Sequence, residues 1–177
     1  MTMQLRHAIL GLLDIAPQSG YDLGRAFERS VAHFWYADQS QIYRTLDRLE
    51  ADGAIDTRTV PQQGRPDRRV HSLTEAGRAE LVEWLCAPLE SLQPKEPFLA
   101  RLFFAAPLGV EGVLALLDER EAMIRGGLDQ LRGLPRPDGD LDALLRSATL
   151  DAGLRQGEAE IEWLHATRRM LEEQATR

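Results

Sequence analysis

Ser40, Arg44 and Arg48 recur at four-residue spacing in the run SQIYRTLDRLEADG, and Arg65 and Arg68 follow in the turn QQGRPDRR. At about 100° per residue the first three share one flank of a helix, and Ile42, Leu46 and Leu49 share the opposite one. A guanidinium is a planar, permanently charged fork that can hold two phosphate oxygens or a guanine edge at once. A short helix that buries one flank and presents Ser40 and Gln41 in its first turn, with arginines behind them, therefore has the groups to touch bases and phosphates. Tyr43 lies about 100° from Ile42, placed either to reach a phosphate or to cover the edge of a core. Between Arg58 and Arg69 four arginines stand against one acid, Asp67, in a chain whose net charge is −7. Such a basic turn supplies phosphate contacts that do not depend on base sequence. Arg65 and Arg68 stand at its tip, and Arg58 and Arg69 decorate its strands.

These residues need elements to hold them. Asp38, with Gln41 three residues on, caps the start of the helix, and Gly53 stands where a left-handed residue ends it. Ile55, Thr57 and Thr59 alternate with Asp56, Arg58 and Val60 as in a half-buried strand. Pro61 and Gly64 break the pattern, and Arg69, His71 and Leu73 resume it. Helix, strand, basic loop, strand reads as a winged helix. Upstream, Leu5, Ile9, Leu12, Leu13 and Ala16 form the stripe of a first helix ended by Pro17. Ser19 with Asp22 opens a second, in which Leu23, Ala26, Phe27 and Phe34 face inward. Thr74 caps a fourth helix carrying Leu81, Trp84 and Leu85. This order is a helix-turn-helix whose second member, from Asp38 to Asp52, is the one placed for a major groove.

The composition changes at SLQPKEP. Beyond this linker, Phe98 to Ala106 reads as a short apolar helix. Val113, Leu114, Leu117, Ile124, Leu128 and Leu131 then keep nearly heptad spacing, and after the breaker GLPRPDGD a last helix carries Leu150, Leu154, Ile161, Leu164 and Leu171. Two long helices joined by a short loop form an antiparallel hairpin. The fold expected is mainly α with a small β-wing: an N-terminal winged helix-turn-helix over 1–90 and a C-terminal helical hairpin over 91–177. A hairpin has too little interior for both stripes, so the second unit is expected to dimerise. The alternative burial, against the winged helix of a monomer, is separated from it by sedimentation. A two-fold dimer sets two recognition helices about 34–36 Å apart and predicts an inverted-repeat operator in double-stranded DNA.

The runs GYDLGRAF, QIYRTLDRLEADGAI and GRPDRRVHSLTEAG resemble the PadR family of transcriptional regulators, and KEPFLARLFFA with the two long helices resembles its longer members. The most specific features are Tyr43 with Leu46, Leu49 and Gly53, and the exit Leu73-Thr74-x-x-Gly77. His71 departs from the pattern, standing where the family usually carries a tyrosine. The resemblance implies a dimeric DNA-binding regulator; the form expected here is a repressor relieved by a small aromatic effector, a choice the resemblance itself does not make. His7, Phe34, Trp35 and Trp84, with Phe103 and Phe104, are the candidate lining of such an effector pocket, because these sites are mostly apolar. Aromatic residues at helical spacing also build cores, so a core role is the competing reading.

Other functions find less support. There is no Walker A pattern, no Gly-x-Gly-x-x-Gly ahead of a helix, no nucleophile elbow and no His-Glu-x-x-His, so no enzyme and no cofactor is expected. Glu162 and His165 form one Glu-x-x-His after Glu158, without the second motif a di-iron bundle needs. No apolar run approaches a membrane span, the start lacks the layout of a secretory signal, and one cysteine, Cys86, forms no internal disulfide; a cytoplasmic protein is expected. Residues 1–85 hold ten basic against twelve acidic residues and 86–177 eleven against sixteen, so DNA attraction must come from local placement. The alternative function is a winged-helix protein-interaction module working through its acidic hairpin.

Overall fold

The structure, a computed structural model, describes residues 5–27, 37–62, 64, 67–89 and 96–175. It divides into two compact units, Met1–Leu92 and Gln93–Arg177. The first unit contains α1 (Leu5–Ile15), β1 (Gln18–Ser19), α2 (Gly20–Ala26), α3 (Gln39–Ala51), β2 (Ile55–Val60), β3 (Arg68–Leu73) and α4 (Glu75–Cys86). It is a winged helix. The strands form an antiparallel sheet in the order β1-β3-β2, with Thr57 opposite His71 and Gln18 opposite the same histidine on the other side. Strand β1 is only two residues long and lacks the alternation by which strands are recognised in sequence; pairing with β3 makes it a strand.

The core is built by the stripes. Ile9, Leu10, Leu12 and Leu13 of α1 meet Leu23, Phe27, Ile42, Leu46, Leu49, Ile55 and Leu81, all nearly inaccessible. Side chains of this size stabilise by about 1.5–3 kcal/mol each when fully buried. Both expected capping boxes form, Ser19 with Asp22 on α2 and Asp38 with Gln41 on α3. Ala16 lies beyond the end of α1 and is exposed. Leu85 is also exposed, at 64%, because the last turn of α4 runs past the core that Leu81 fills. Phe34 falls outside the described residues.

One backbone contact fixes the exit from the wing. Thr74 caps α4 by accepting from the Gly77 N–H at 3.1 Å, while its hydroxyl donates to the Gly53 carbonyl at 2.8 Å and its own N–H donates to the Ala54 carbonyl at 3.2 Å. A β-carbon on Gly77 would stand 2.0 Å from the Ala54 oxygen. Gly53, with φ +74°, turns the chain out of α3 in the left-handed region that favours glycine.

The second unit contains α5 (Pro97–Phe103), a 3₁₀ turn (Ala106–Leu108), α6 (Gly109–Arg132) and α7 (Leu141–Ala175). The apolar stretch Phe98 to Ala106 is thus not one helix. It breaks at Phe104 and restarts in the 3₁₀ turn, because Pro107 has no N–H to give the Phe103 carbonyl and its ring crowds that carbonyl in a continuous α-helix. Helices α6 and α7 form the antiparallel hairpin, with Leu128, Leu150 and Leu154 at one seam and Val113, Leu117 and Leu164 buried elsewhere along it. The seam is crossed by ion pairs Arg168–Asp118, Arg120–Glu160 at 2.7 Å and Arg132–Glu158 at 3.0 Å. Asp140 caps α7 through the Ala143 N–H. Among the described residues, no single helix is long and apolar enough to cross a membrane.

Gly77→Ala is expected to cost about 3 kcal/mol or more in chemical denaturation, since backbone rather than a movable side chain blocks the new methyl. Gly127→Ala, in α6 with nothing within 4 Å of the added carbon, should raise stability by up to about 1 kcal/mol.

Candidate nucleic-acid interface

Helix α3 carries the candidate reading face. Ile42, Leu46 and Leu49 are buried, and Ser40, Gln41, Arg44 and Arg48 lie on the exposed flank. Two of these are committed to the helix itself. The Ser40 hydroxyl donates to Asp38 Oδ1 at 2.6 Å, and Gln41 Oε1 accepts from the Asp38 N–H at 3.2 Å while its own N–H donates to Asp38 Oδ1 at 2.8 Å. The Ser40 hydroxyl and the Gln41 N–H hold the Asp38 carboxyl below its usual range. Arg44 reaches back to the Ser40 carbonyl at 3.4 Å, a weak contact. Among the described residues neither Arg44 nor Arg48 forms an ion pair, though the Arg44 charge helps to lower the Asp38 pKa. The Tyr43 ring packs over Gly20 at the start of α2, where an added β-carbon would meet Cε1 at 2.5 Å, yet 44% of the residue stays exposed. Tyr43 thus ties α3 to α2 and still offers an edge to solvent.

The wing arginines are less free. Arg69, expected only to decorate the strand, is a strut: it reaches Glu50 Oε2 at 2.5 Å and Asp47 Oδ1 at 3.7 Å, both on α3. Arg68 begins β3 and is ion-paired with Asp22 in the first turn of α2. Arg58 is exposed, and Gly64, with φ +71°, turns the loop; Arg65 lies outside the described residues. Beneath the wing His71 is 3% exposed, and its Nδ1 lies 2.9 Å from the Thr57 hydroxyl. Burial pushes the His71 pKa down, and neighbouring Arg69 adds to this.

The candidate effector residues belong to both units. His7 is buried and stacks on Trp84, ring centres 5.0 Å apart at 7°. Glu80 Oε1 stands 3.9 Å from His7 Nε2 and also accepts from Arg6 Nε at 2.5 Å, while Arg6 bonds Asp52 Oδ2 at 3.0 Å. Burial lowers the His7 pKa despite Glu80. The pair has the packing of a core element. In the second unit Phe103 and Phe104 meet edge to face at 5.0 Å and are 81% and 75% exposed. Phe34 and Trp35 lie outside the described residues. The Glu-x-x-His pattern is split: His165 Nε2 lies 2.9 Å from Glu121 on α6. Among the described residues no three His, Cys, Asp or Glu side chains converge as metal ligands do.

Residues 9–83 match the model of the Transcriptional regulator PadR-like family, and 94–172 match that of the Virulence activator alpha C-term. A protein of Mycobacterium tuberculosis named a probable transcriptional regulator is 34% identical over 187 residues, spanning 97% of this chain and 99% of its own. The chain belongs to the PadR-like family of transcriptional regulators. The Bacillus subtilis negative transcriptional regulator PadR is 32% identical over 131 residues, covering 73% of this chain and 71% of the relative. Its crystal structure in complex with operator DNA superposes with a TM-score of 0.85 at 26% identity, covering 96% of this chain and 99% of that one. Its complex with p-coumaric acid gives 0.78 at 27% identity, over 95% and 98%.

Within this PadR-like framework, sequence reasoning missed Arg6, Asp22 and Glu50 as the anchors of the reading elements. Their partners lie 19 to 74 residues away in sequence; only the capping motif at Ser19–Asp22 left a local trace.

The histidines give the winged helix a pH response. Their folded pKa values lie below the ordinary one of about 6.5, so the neutral-form stabilisation is complete above that value and declines as pH falls through it toward the folded pKa. The urea midpoint should fall between about pH 7 and 5.5. His71→Gln should flatten that fall.

Proposed function

We propose that the protein is a dimeric, sequence-specific repressor in which α3 reads the major groove of an inverted-repeat operator and the wing holds the phosphate backbone. The observation that carries this reading is the outward flank of α3, where Arg44 and Arg48 form no ion pair among the described residues while Arg68 and Arg69 beside it are paired. The operator complex of Bacillus subtilis PadR and that protein's designation as a negative regulator support it. Arg44 and Arg48 contact base edges and phosphates, Ser40 and Gln41 set the first turn, Tyr43 supports the approach, and Arg65 and Arg68 serve the backbone. Residues 1–90 act as the DNA-binding part and 91–177 as the dimerisation part.

Dimerisation is supported by apolar surface the hairpin leaves open. Leu141, Leu144 and Leu145 are 57 to 69% exposed in the first turns of α7, and Met123 and Met170 are 64% and 70% exposed. A second copy is the simplest cover. Relief by a small aromatic acid is the regulatory reading, supported by the p-coumaric acid complex of the Bacillus relative. Such an effector acts only by preferring one arrangement of the two reading helices.

Selection of bound duplexes from a random pool tests the reading. An enriched inverted repeat with a steep negative salt dependence is expected; a folded dimer that enriches nothing points instead to the protein-interaction module. Arg44→Ala should alter sequence preference by about 1–3 kcal/mol at one position, and Arg65→Ala should weaken all duplexes alike and reduce the salt slope by about one. In sedimentation, Leu144→Glu with Leu145→Glu should convert dimer to monomer; an unchanged dimer would place the interface elsewhere.

A further inference from the structure

We propose that Asp22 is an intramolecular competitor for DNA phosphate, holding the wing arginine Arg68 in the free protein and surrendering it when a duplex is bound. The inference rests on the DNA-binding reading above. Arg68 and Arg69 are consecutive on β3, so their side chains leave opposite faces of the strand. Arg69 faces two carboxylates of α3, Glu50 and Asp47, and ties the wing to the reading helix. Among the described residues Arg68 has one carboxylate partner, Asp22 Oδ2.

That partner does not need the arginine. The same Asp22 oxygen accepts the Ser19 hydroxyl at 2.5 Å and the Ser19 N–H at 3.4 Å, completing the cap of α2. The Ser19 hydroxyl is also the first cause of the lowered Asp22 pKa, ahead of Arg68. The carboxylate therefore stays ionised and hydrogen-bonded after the guanidinium leaves. Both side chains stand in solvent, 46% and 37% exposed, and an ion pair of this kind separates at little cost. The position is apt, because the first helix of a helix-turn-helix crosses the DNA backbone and Asp22 is in the first turn of that helix. A phosphate offers Arg68 the same two-oxygen acceptor, with counterion release in its favour. Because the Arg68–Asp22 pair must open before the phosphate is held, the exchange damps binding to every duplex alike and leaves the Arg44 contacts untouched. The result is weaker binding to bulk non-specific DNA at an unchanged ratio of specific to non-specific affinity.

The test is binding of a labelled mixed-sequence duplex to the full-length protein across a salt series. Asp22→Asn keeps an oxygen for Ser19 and removes the charge; it should bind several-fold more tightly at low salt, with a slope of log affinity against log salt steeper by about one. Asp22→Glu should stay near wild type, and adding Arg68→Gln to Asp22→Asn should abolish the gain. Arg68→Gln alone leaves the cap intact and should flatten the wild-type slope, which keeps the proposal testable if Asp22→Asn does not fold. Wild-type affinity and slope in folded Asp22→Asn, a gain that persists in the double variant, or an unchanged slope in Arg68→Gln would each overturn the competitor role while leaving DNA binding in place. A wild-type protein that binds no duplex at low salt overturns the DNA reading and this inference together.

Discussion

The seat of Gly77 on the Ala54 carbonyl is the constraint from which the reading surface follows. At this one place the end of α3, the start of β2, the end of β3 and the start of α4 converge, because Thr74 bonds both the Gly53 and Ala54 carbonyls and caps α4 with the same hydroxyl. Any side chain at position 77 would push α4 from the backbone it rests on. Both strands of the wing therefore leave and return at a fixed point beside α3. Arg6, bonded to Glu80 of α4 and to Asp52 at the end of α3, closes the same junction with charge.

The charges are sorted by task rather than by sign. Net charge is negative, −7, yet Asp47 and Glu50 of α3 turn the wing arginine Arg69 into a strut, and Asp22 holds Arg68. Arg44 and Arg48 are left facing outward. The long-range pull on any polyanion is therefore small, while unengaged forks stand on the outward flank of α3.

Local signals were legible in the sequence and long-range ones were not. The apolar stripe Ile42-Leu46-Leu49, the capping pairs Ser19/Asp22 and Asp38/Gln41, the Thr74 cap and the antiparallel hairpin all follow from spacing within one or two turns, and the structure carries each of them. Family resemblance extended the same reading. Strand β1 was invisible because its identity comes from a partner some fifty residues away. The break at Phe104 was masked by continuous apolarity over a proline, and Leu85 obeys helical periodicity one turn beyond the core it would have filled. For the reading face, exposure of the arginines on α3 and the commitment of Gln41 to the Asp38 cap were predictable, but the commitment of Arg68 and Arg69 to carboxylates needed three-dimensional neighbours. Tyr43 could be placed only once Gly20 was seen beneath its ring.

Helix α7 is 35 residues long and uninterrupted by proline, so at 1.5 Å per residue it is a rod of about 52 Å. Its contact with α6 is a narrow apolar seam, drawn close where Gly157 lets Leu128 approach; a β-carbon there would meet the leucine at 2.8 Å. A rod held along a narrow line resists bending better than rocking. A tilt of about 5° about one end carries the other through roughly 4–5 Å, about the rise of one helical turn. Length alone therefore gives α7 leverage: an angle too small to notice at one end is, at the other, a step close to one helical turn.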